Sequence, residues 1–305
     1  MLAFRDPHGI RPLVIGKRTD KNGKDEYIFA SETTMFYSLG FELIGDVGHG
    51  EAVFVDNEGV LHRKKIRDEL FTPDAFEYIY FARPDSIIND VSVYRARLRM
   101  GQNLANKWKR TYPNIIPDVV IPVPFSANVA ALSLASELGV RYTEGLYKNP
   151  FIGRTFIMDS QDKRRKSVRQ KLSPQKYEIK DKKVMVVDDS IVRGTTSKEV
   201  VQILRDAGAK EIYMVSACPP LFYPDFYGIS IPTQDELIAS KMNQVELKKY
   251  LEVDKLLFQD IDSLKEAIIR KGNQHITKLS MPYFDCDYIT KDIDVKQFRK
   301  VDDFA

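Results

Sequence analysis

Two adjacent aspartates at the end of an apolar run, followed by a turn of Ser, Gly and Thr, are the residues of this chain best suited to chemistry. They lie in VMVVDDSIVRGTTS, Val184 to Ser197. Val184 to Val187 read as a buried strand, Asp188 and Asp189 stand at its carboxyl end, and the turn opens a helix. In an open α/β sheet, ligands bind in the crevice beyond the carboxyl ends of the strands. The turn's backbone N–H groups, with the hydroxyls of Thr195, Thr196 and Ser197, suit a phosphate at the positive end of the following helix. Two carboxylates beside such an anion repel it unless they grip hydroxyls or a cation, and a ribose diol and Mg²⁺ supply both. A strand followed by an Asp-capped helix would account for one aspartate and leaves the rest of the string unexplained. There is no GxxxxGK[ST] and no GxGxxG, so the segment is neither a Walker loop nor a dinucleotide fingerprint.

The elements that must position this segment are legible around it. Val119 to Val123 is an apolar strand, a helix is expected from about Ser126 to Leu138, and Val184 to Val187 leads into a second helix, expected to end at Gly208 before a third strand, Ile212 to Ser216. This alternation predicts a parallel sheet covered on both faces. Upstream, Ser92 to Arg110 has helical periodicity, with Leu98, Leu104, Ala105 and Trp108 near one face. Residues 1 to about 70 read instead as short strands, Leu13 to Gly16, Tyr27 to Ala30, Ala52 to Val55 and Val60 to Lys64, with turns at Lys21-Asn22-Gly23 and Asp56-Asn57-Glu58-Gly59. Gly153 to Leu172 is long, polar and basic, and is expected to be a mobile loop. The tail from about Asp235 is expected to hold short amphipathic helices anchored by Leu247, Leu251, Leu264 and Ile268.

Bulk composition bounds the rest. A chain of 305 residues, 43% hydrophobic and 29% charged, can bury a large core. Its formal charge of +3 is too slight to signal a nucleic-acid binder. Cys218 and Cys286 are the two cysteines and share no CxxC or Cys/His spacing, which argues against a disulfide framework or zinc and for a reducing cytosol. No apolar run approaches the roughly 18 residues that span a bilayer, so no membrane partner is expected. His8, His49, His62 and His275 are dispersed, which does not suggest a metal site.

DDSIVRGTTS resembles the signature of type I phosphoribosyltransferases in the form found in amidophosphoribosyltransferases. FRDPHGIRPLVIGKR (Phe4 to Arg18), YFARPDS (Tyr80 to Ser86), GRTFI (Gly153 to Ile157), RRKSVRQKL (Arg164 to Leu172) and YGI (Tyr227 to Ile229) resemble the same family in the same order. The resemblance implies an α/β fold: a type I phosphoribosyltransferase parallel sheet with flanking helices, preceded by a β-rich remnant of an N-terminal-nucleophile glutaminase domain. The boundaries it suggests are 1–72 for the remnant, 73–272 for the phosphoribosyltransferase domain and 273–305 for a tail packing on the body.

The implied reaction is displacement of pyrophosphate from C1 of phosphoribosylpyrophosphate by ammonia, giving phosphoribosylamine at the first step of purine synthesis. The resemblance implies that Asp188 and Asp189 hold the ribose hydroxyls and, with Ser126, help position Mg²⁺. Ser190, Ile191, Val192, Arg193, Gly194, Thr195, Thr196 and Ser197 would bind the 5′-phosphate. Lys148, Arg154 and Lys171 are candidates for stabilising the departing pyrophosphate. Phe125 departs from the family, where an acidic residue usually precedes the Ser, and this weakens the metal role of Ser126. Met1 is followed by Leu2 and the first cysteine is Cys218, so the terminal cysteine of the glutaminase half is not found, and glutamine hydrolysis by this polypeptide alone is not expected. A separate glutaminase fragment, purine nucleotide feedback inhibitors and a homotetrameric assembly are further expectations of the family. An iron–sulfur cluster is not, since two cysteines cannot build a four-cysteine site. A base-salvage phosphoribosyltransferase and a non-catalytic nucleotide-binding fragment are the alternatives.

Overall fold

The computed structural model describes residues 1–151, 168–231, 233–269, 275–301 and 304. The backbone divides into two compact units, residues 1–96 with 268–281 and 287–289, and residues 97–267 with 282–286 and 290–305. By compactness, residues 73–96 therefore go with the first unit, whereas the family resemblance suggests a boundary at 72/73.

The first unit is β-rich and holds a short helix, α1 (Thr34–Ser38). β1 (Leu2–Phe4), β2 (Val14–Thr19), β3 (Asp25–Ala30), β4 (Glu42–Asp46), β5 (Glu51–Val55) and β6 (Leu61–Lys65) form two antiparallel sheets, ordered β1-β5-β6 and β3-β2-β4, and β7 (Ile87–Ile88) pairs with β8 (Val91–Ser92). The two expected hairpins are present, and aspartates nucleate both turns. Asp20 Oδ1 accepts from the N–H groups of Asn22 and Lys24, and Asp56 Oδ1 accepts from those of Glu58 and Val60. A short side chain that mimics a backbone acceptor is what makes Asp a turn residue. Between β1 and β2, Arg5 is buried, and its guanidinium donates to the carbonyls of Gly9, Arg11 and Val47 and to Asn89 Oδ1. That accounts for much of the FRDPHGIRPL segment as a structural knot around one cation.

In the second unit, β9 (Val119–Pro122), β10 (Arg141–Tyr142), β13 (Lys183–Asp188), β14 (Glu211–Ser216) and β15 (Lys255–Phe258) make one sheet ordered β10-β9-β13-β14-β15, every pair parallel. β11 (Leu146–Lys148) and β12 (Leu172–Pro174) form an antiparallel ribbon beside it in the chain.

Alternation along β13 sorts its side chains to two cores. Met185 and Val187 pack with Leu104, Ala105 and Trp108 of α2 (Val93–Thr111) and with Ala130, Ala131 and Leu134 of α3 (Asn128–Leu138). Val184 and Val186 pack on the opposite face with Ile179 of α4 (Lys176–Ile179), with Val200, Val201 and Leu204 of α5 (Thr195–Asp206), and with Leu247 and Leu251 of α6 (Gln244–Leu251). Burying a Val or Leu side chain stabilises by about 1.5–3 kcal/mol, so this two-sided burial is what makes the central strand rigid. The expected anchors Leu247, Leu251, Leu264 and Ile268 are all buried, the last two on α7 (Ile261–Ile268). Two strands of this sheet, β10 and β15, lie outside the three that the pattern predicts: two and four residues beside helical patterns carry no periodicity that separates strand from helix.

The crossing of α2 and α3 depends on one residue. A Cβ built on Gly101 would sit 2.2 Å from the Ala130 carbonyl oxygen and 2.8 Å from Ser133 Cβ. Gly101→Ala is therefore expected to destabilise by about 1–3 kcal/mol despite alanine's better helix propensity, measured as a lowered urea midpoint. An unchanged or raised midpoint would show that the helices part at no cost.

Candidate functional site

β13 lies between β9 and β14, and its last residue, Asp188, pairs with Ser216. On the other side the Val123 N–H donates to the Val187 carbonyl at 2.8 Å, which carries the chain after β9 to the same end of the sheet. Ser126 is brought there, and its hydroxyl donates to Asp189 Oδ2. Ser190 Oγ donates to Asp189 Oδ1 at 2.6 Å, the Asp189 N–H to Asp188 Oδ1 at 3.0 Å, and Ser197 Oγ stands 3.5 Å from Asp188 Oδ2.

Asp188 is 5% exposed and Asp189 8%. Burial, reinforced by the neighbouring Asp189, pushes the Asp188 carboxyl well above the usual carboxylate range. Asp189 is also raised by burial, while the Ser126 and Ser190 hydroxyls and the charge of Arg97 pull it back. A carboxylate pair held this way attracts hydroxyl donors or a cation strongly, because either would relieve charge that water does not reach.

Directly beyond the acids, the backbone turns through Gly194 at φ +72°, a left-handed conformation that favours glycine. A Cβ there would lie 2.4 Å from Ile238 Cδ1. Val192 is held from behind by the Ile238 N–H, which donates to its carbonyl at 2.9 Å. Among the described residues, none of the N–H groups from Ile191 to Ser197 donates to another residue. These groups open α5, so an arc of unspent donors meets the positive end of a helix of 12 residues.

The side chains of the turn divide in direction. Ile191 is buried in the core, Arg193 is paired with Glu236, Thr195 is half-buried and Thr196 is exposed. Only backbone is left of Ile191 for a ligand.

Lys148 and Lys171 meet on the β11–β12 ribbon, where Lys148 pairs with Leu172 and the Asn149 N–H donates to the Lys171 carbonyl at 2.8 Å. Burial and the neighbouring Lys148 charge lower the Lys171 pKa. Lys148 Nζ lies 5.0 Å from the centroid of the Phe125 ring, one residue before Ser126, and the Pro124–Phe125 peptide is cis. Arg154 lies outside the described residues, as does residues 153–167 of the expected mobile loop. Arg169 of that basic stretch is paired with Glu199 and Asp206 of α5.

Sequence reasoning missed Arg97, buried at 3% exposure and close enough to Asp189 to act on its charge. The signal was available, since Arg97 falls on the apolar stripe that runs through Gly101, Leu104 and Trp108. The supports Glu236 and Ile238 carried no such signal.

A family model described as a phosphoribosyl transferase domain matches residues 93–220. The chain is 48% identical over 306 residues to an amidophosphoribosyltransferase of Haemophilus influenzae, an alignment covering 99% of this chain and 60% of the relative. It is 45% identical to the one from Escherichia coli, over 96% of this chain and 58% of the relative. The solved structure of a glutamine phosphoribosylpyrophosphate amidotransferase from B. subtilis, complexed with ADP and GMP, superposes with a TM-score of 0.82 at 37% identity, covering 97% of this chain and 63% of that one. The chain thus spans about 60% of the length of these relatives.

The raised acids have a consequence for stability. A carboxyl whose pKa is higher folded than unfolded holds its proton more tightly when folded. Its contribution is therefore present at acid pH and lost as pH rises from the ordinary value of 3.8 through the raised one. Without divalent cations, Asp188→Asn is expected to melt a few °C above the parent at about pH 8, with the gap closing toward about pH 4. Coincident melting curves at the higher pH would mean that the buried carboxylate costs nothing.

Proposed function

Starting from a chain that is homologous to amidophosphoribosyltransferases over nearly its whole length, we propose that it transfers an amino group to C1 of phosphoribosylpyrophosphate, releasing pyrophosphate and giving phosphoribosylamine. The observation that carries this reading is the buried Asp188–Asp189 pair at the end of β13 followed at once by the free N–H arc of Ile191 to Ser197. A sugar phosphate has that polarity, with a diol at one end for the acids and a phosphate at the other for the arc and the Thr195, Thr196 and Ser197 hydroxyls.

The two carboxylates fit Mg²⁺. They are oxygen ligands in a poorly solvated place, both pushed toward protonation by burial, and a hard cation would relieve them. No cluster of three or more His, Cys, Asp or Glu side chains stands together among the described residues, which suits a cation that draws its remaining ligands from substrate oxygens and water. Ser126 acts in this reading through Asp189, whose Oδ2 its hydroxyl already occupies. When bound, Mg²⁺ would supply charge neutralisation of the diphosphate.

The chain's own residues do the rest. The arc fixes the 5′-phosphate, the acids fix the ribose, and C1 is left facing the incoming nitrogen. The nitrogen lone pair of ammonia forms the new bond to C1 as the C1–O bond breaks. Pyrophosphate leaves with the electron pair of the broken C1–O bond, and the ammonium nitrogen gives up a proton to solvent. Lys148 and Lys171 would meet the leaving charge, the second with a pKa lowered by burial and by the first.

We place this chemistry in the cytosol, where Cys218 and Cys286, both free, stay reduced. Among the described residues no helix is long and apolar enough to cross a membrane. Ammonia, free or released from glutamine by a glutaminase partner, is the acceptor we assign, and purine nucleotides and other copies of the chain are the regulatory partners we expect.

Pyrophosphate release from phosphoribosylpyrophosphate and Mg²⁺ is expected with ammonium and absent with nucleobases. Asp188→Asn with Asp189→Asn should lower it by about 10³-fold while near-ultraviolet circular dichroism is unchanged. Release with a nucleobase and none with ammonium would overturn the assignment in favour of base salvage.

A further inference from the structure

Phe125 presents its ring to solvent, 62% exposed, at the end of the sheet where the acids lie, and the Lys148 ammonium occupies one face of that ring. Within about 6 Å of an aromatic centroid, an ammonium is attracted by the ring's quadrupole. Elsewhere among the described residues Arg11 stacks on Phe81, Arg18 on Phe41 and Lys198 on Tyr250, each also paired with a carboxylate, while Arg5 on Phe71 and Lys255 on Tyr112 form no such ion pair. Lys148 has no carboxylate partner among the described residues.

The difference matters chemically. A carboxylate would hold the lysine but cancel its charge and compete with any anion, whereas an aromatic face holds it and leaves the charge whole. Phe125 is also joined directly to Ser126, whose hydroxyl is bonded to Asp189. One loop after β9 therefore touches both Asp189, through Ser126, and Lys148, through Phe125.

We propose that Phe125 is a positioning residue, its ring face holding the Lys148 ammonium beside the Ser126–Asp189 contact so that it meets an anionic diphosphate with undiminished charge. The inference rests on the function proposed above and goes beyond it by giving a role to a side chain that touches no reacting atom.

Two readouts test it. In ammonium-dependent turnover, Phe125→Leu should raise the KM for phosphoribosylpyrophosphate and lower kcat/KM by about 3- to 10-fold, and Phe125→Trp should restore both to within about twofold of the parent. A merely structural apolar contact would be served equally by Leu. Independently, reductive methylation with ¹³C-formaldehyde labels the lysines, and Lys148→Arg identifies the Lys148 resonance. Ring current should shift that resonance upfield in the parent and in Phe125→Trp, and the shift should vanish in Phe125→Leu.

If the parent releases no pyrophosphate with any acceptor, the proposed function has failed on its own account. The positioning role is then judged by calorimetric binding of inorganic pyrophosphate with Mg²⁺, which Phe125→Leu should weaken by the same factor. A Lys148 resonance indifferent to Phe125→Leu, or parent-like pyrophosphate binding or turnover in that variant, overturns the proposal.

Discussion

The structure depends on keeping two carboxylates side by side with less than a tenth of either exposed. Alone, such a pair would be expelled to water or neutralised by protons. Here it persists because the strand beneath is pinned by parallel neighbours on both sides, and because hydroxyls from Ser126 and Ser190, the Asp189 N–H and the charge of Arg97 each take part of the load. What they leave unmet is charge that water does not reach, so the fold holds an electrostatic deficit that a hydroxyl donor or a cation would relieve.

The adjoining turn works by the opposite rule. Its contribution is backbone, and its side chains are mostly committed elsewhere: Ile191 to the core, Arg193 to Glu236, with the Val192 carbonyl taken by Ile238. Donors fixed in this way need no reorganisation when an anion arrives. The acid pair and the turn are thus pre-arranged by different means, buried charge in the one and fixed dipoles in the other.

Much of this was legible in the residues themselves. The apolar strand, the acids at its end and the glycine-bearing turn are contiguous, so local pattern was enough to find them, and the alternation of strands and helices was enough to predict a covered parallel sheet. The pieces that escaped are those made by contacts between distant segments. β15 is too short to declare itself, Arg97 looks like any arginine until its helix is seen to bury that face, and the support of Val192 by Ile238 joins residues 46 positions apart by a backbone bond that no side-chain type foretells. Lys148 and Lys171 were found by resemblance, but their adjacency on a ribbon and the aromatic ring under Lys148 required coordinates.

Ser126 and Asp189 lie 63 residues apart and meet because β9 and β13 run in fixed parallel register. The intervening crossover has only to leave one strand and return to the other, so its length and content are not constrained by the hydrogen bond that it spans. The contact therefore tolerates exchange of any part of the crossover that does not itself pack on the sheet, as α3, β10 and Ile179 do. Evolution, or a protein engineer, can lengthen or rewrite such a part without parting Ser126 from Asp189.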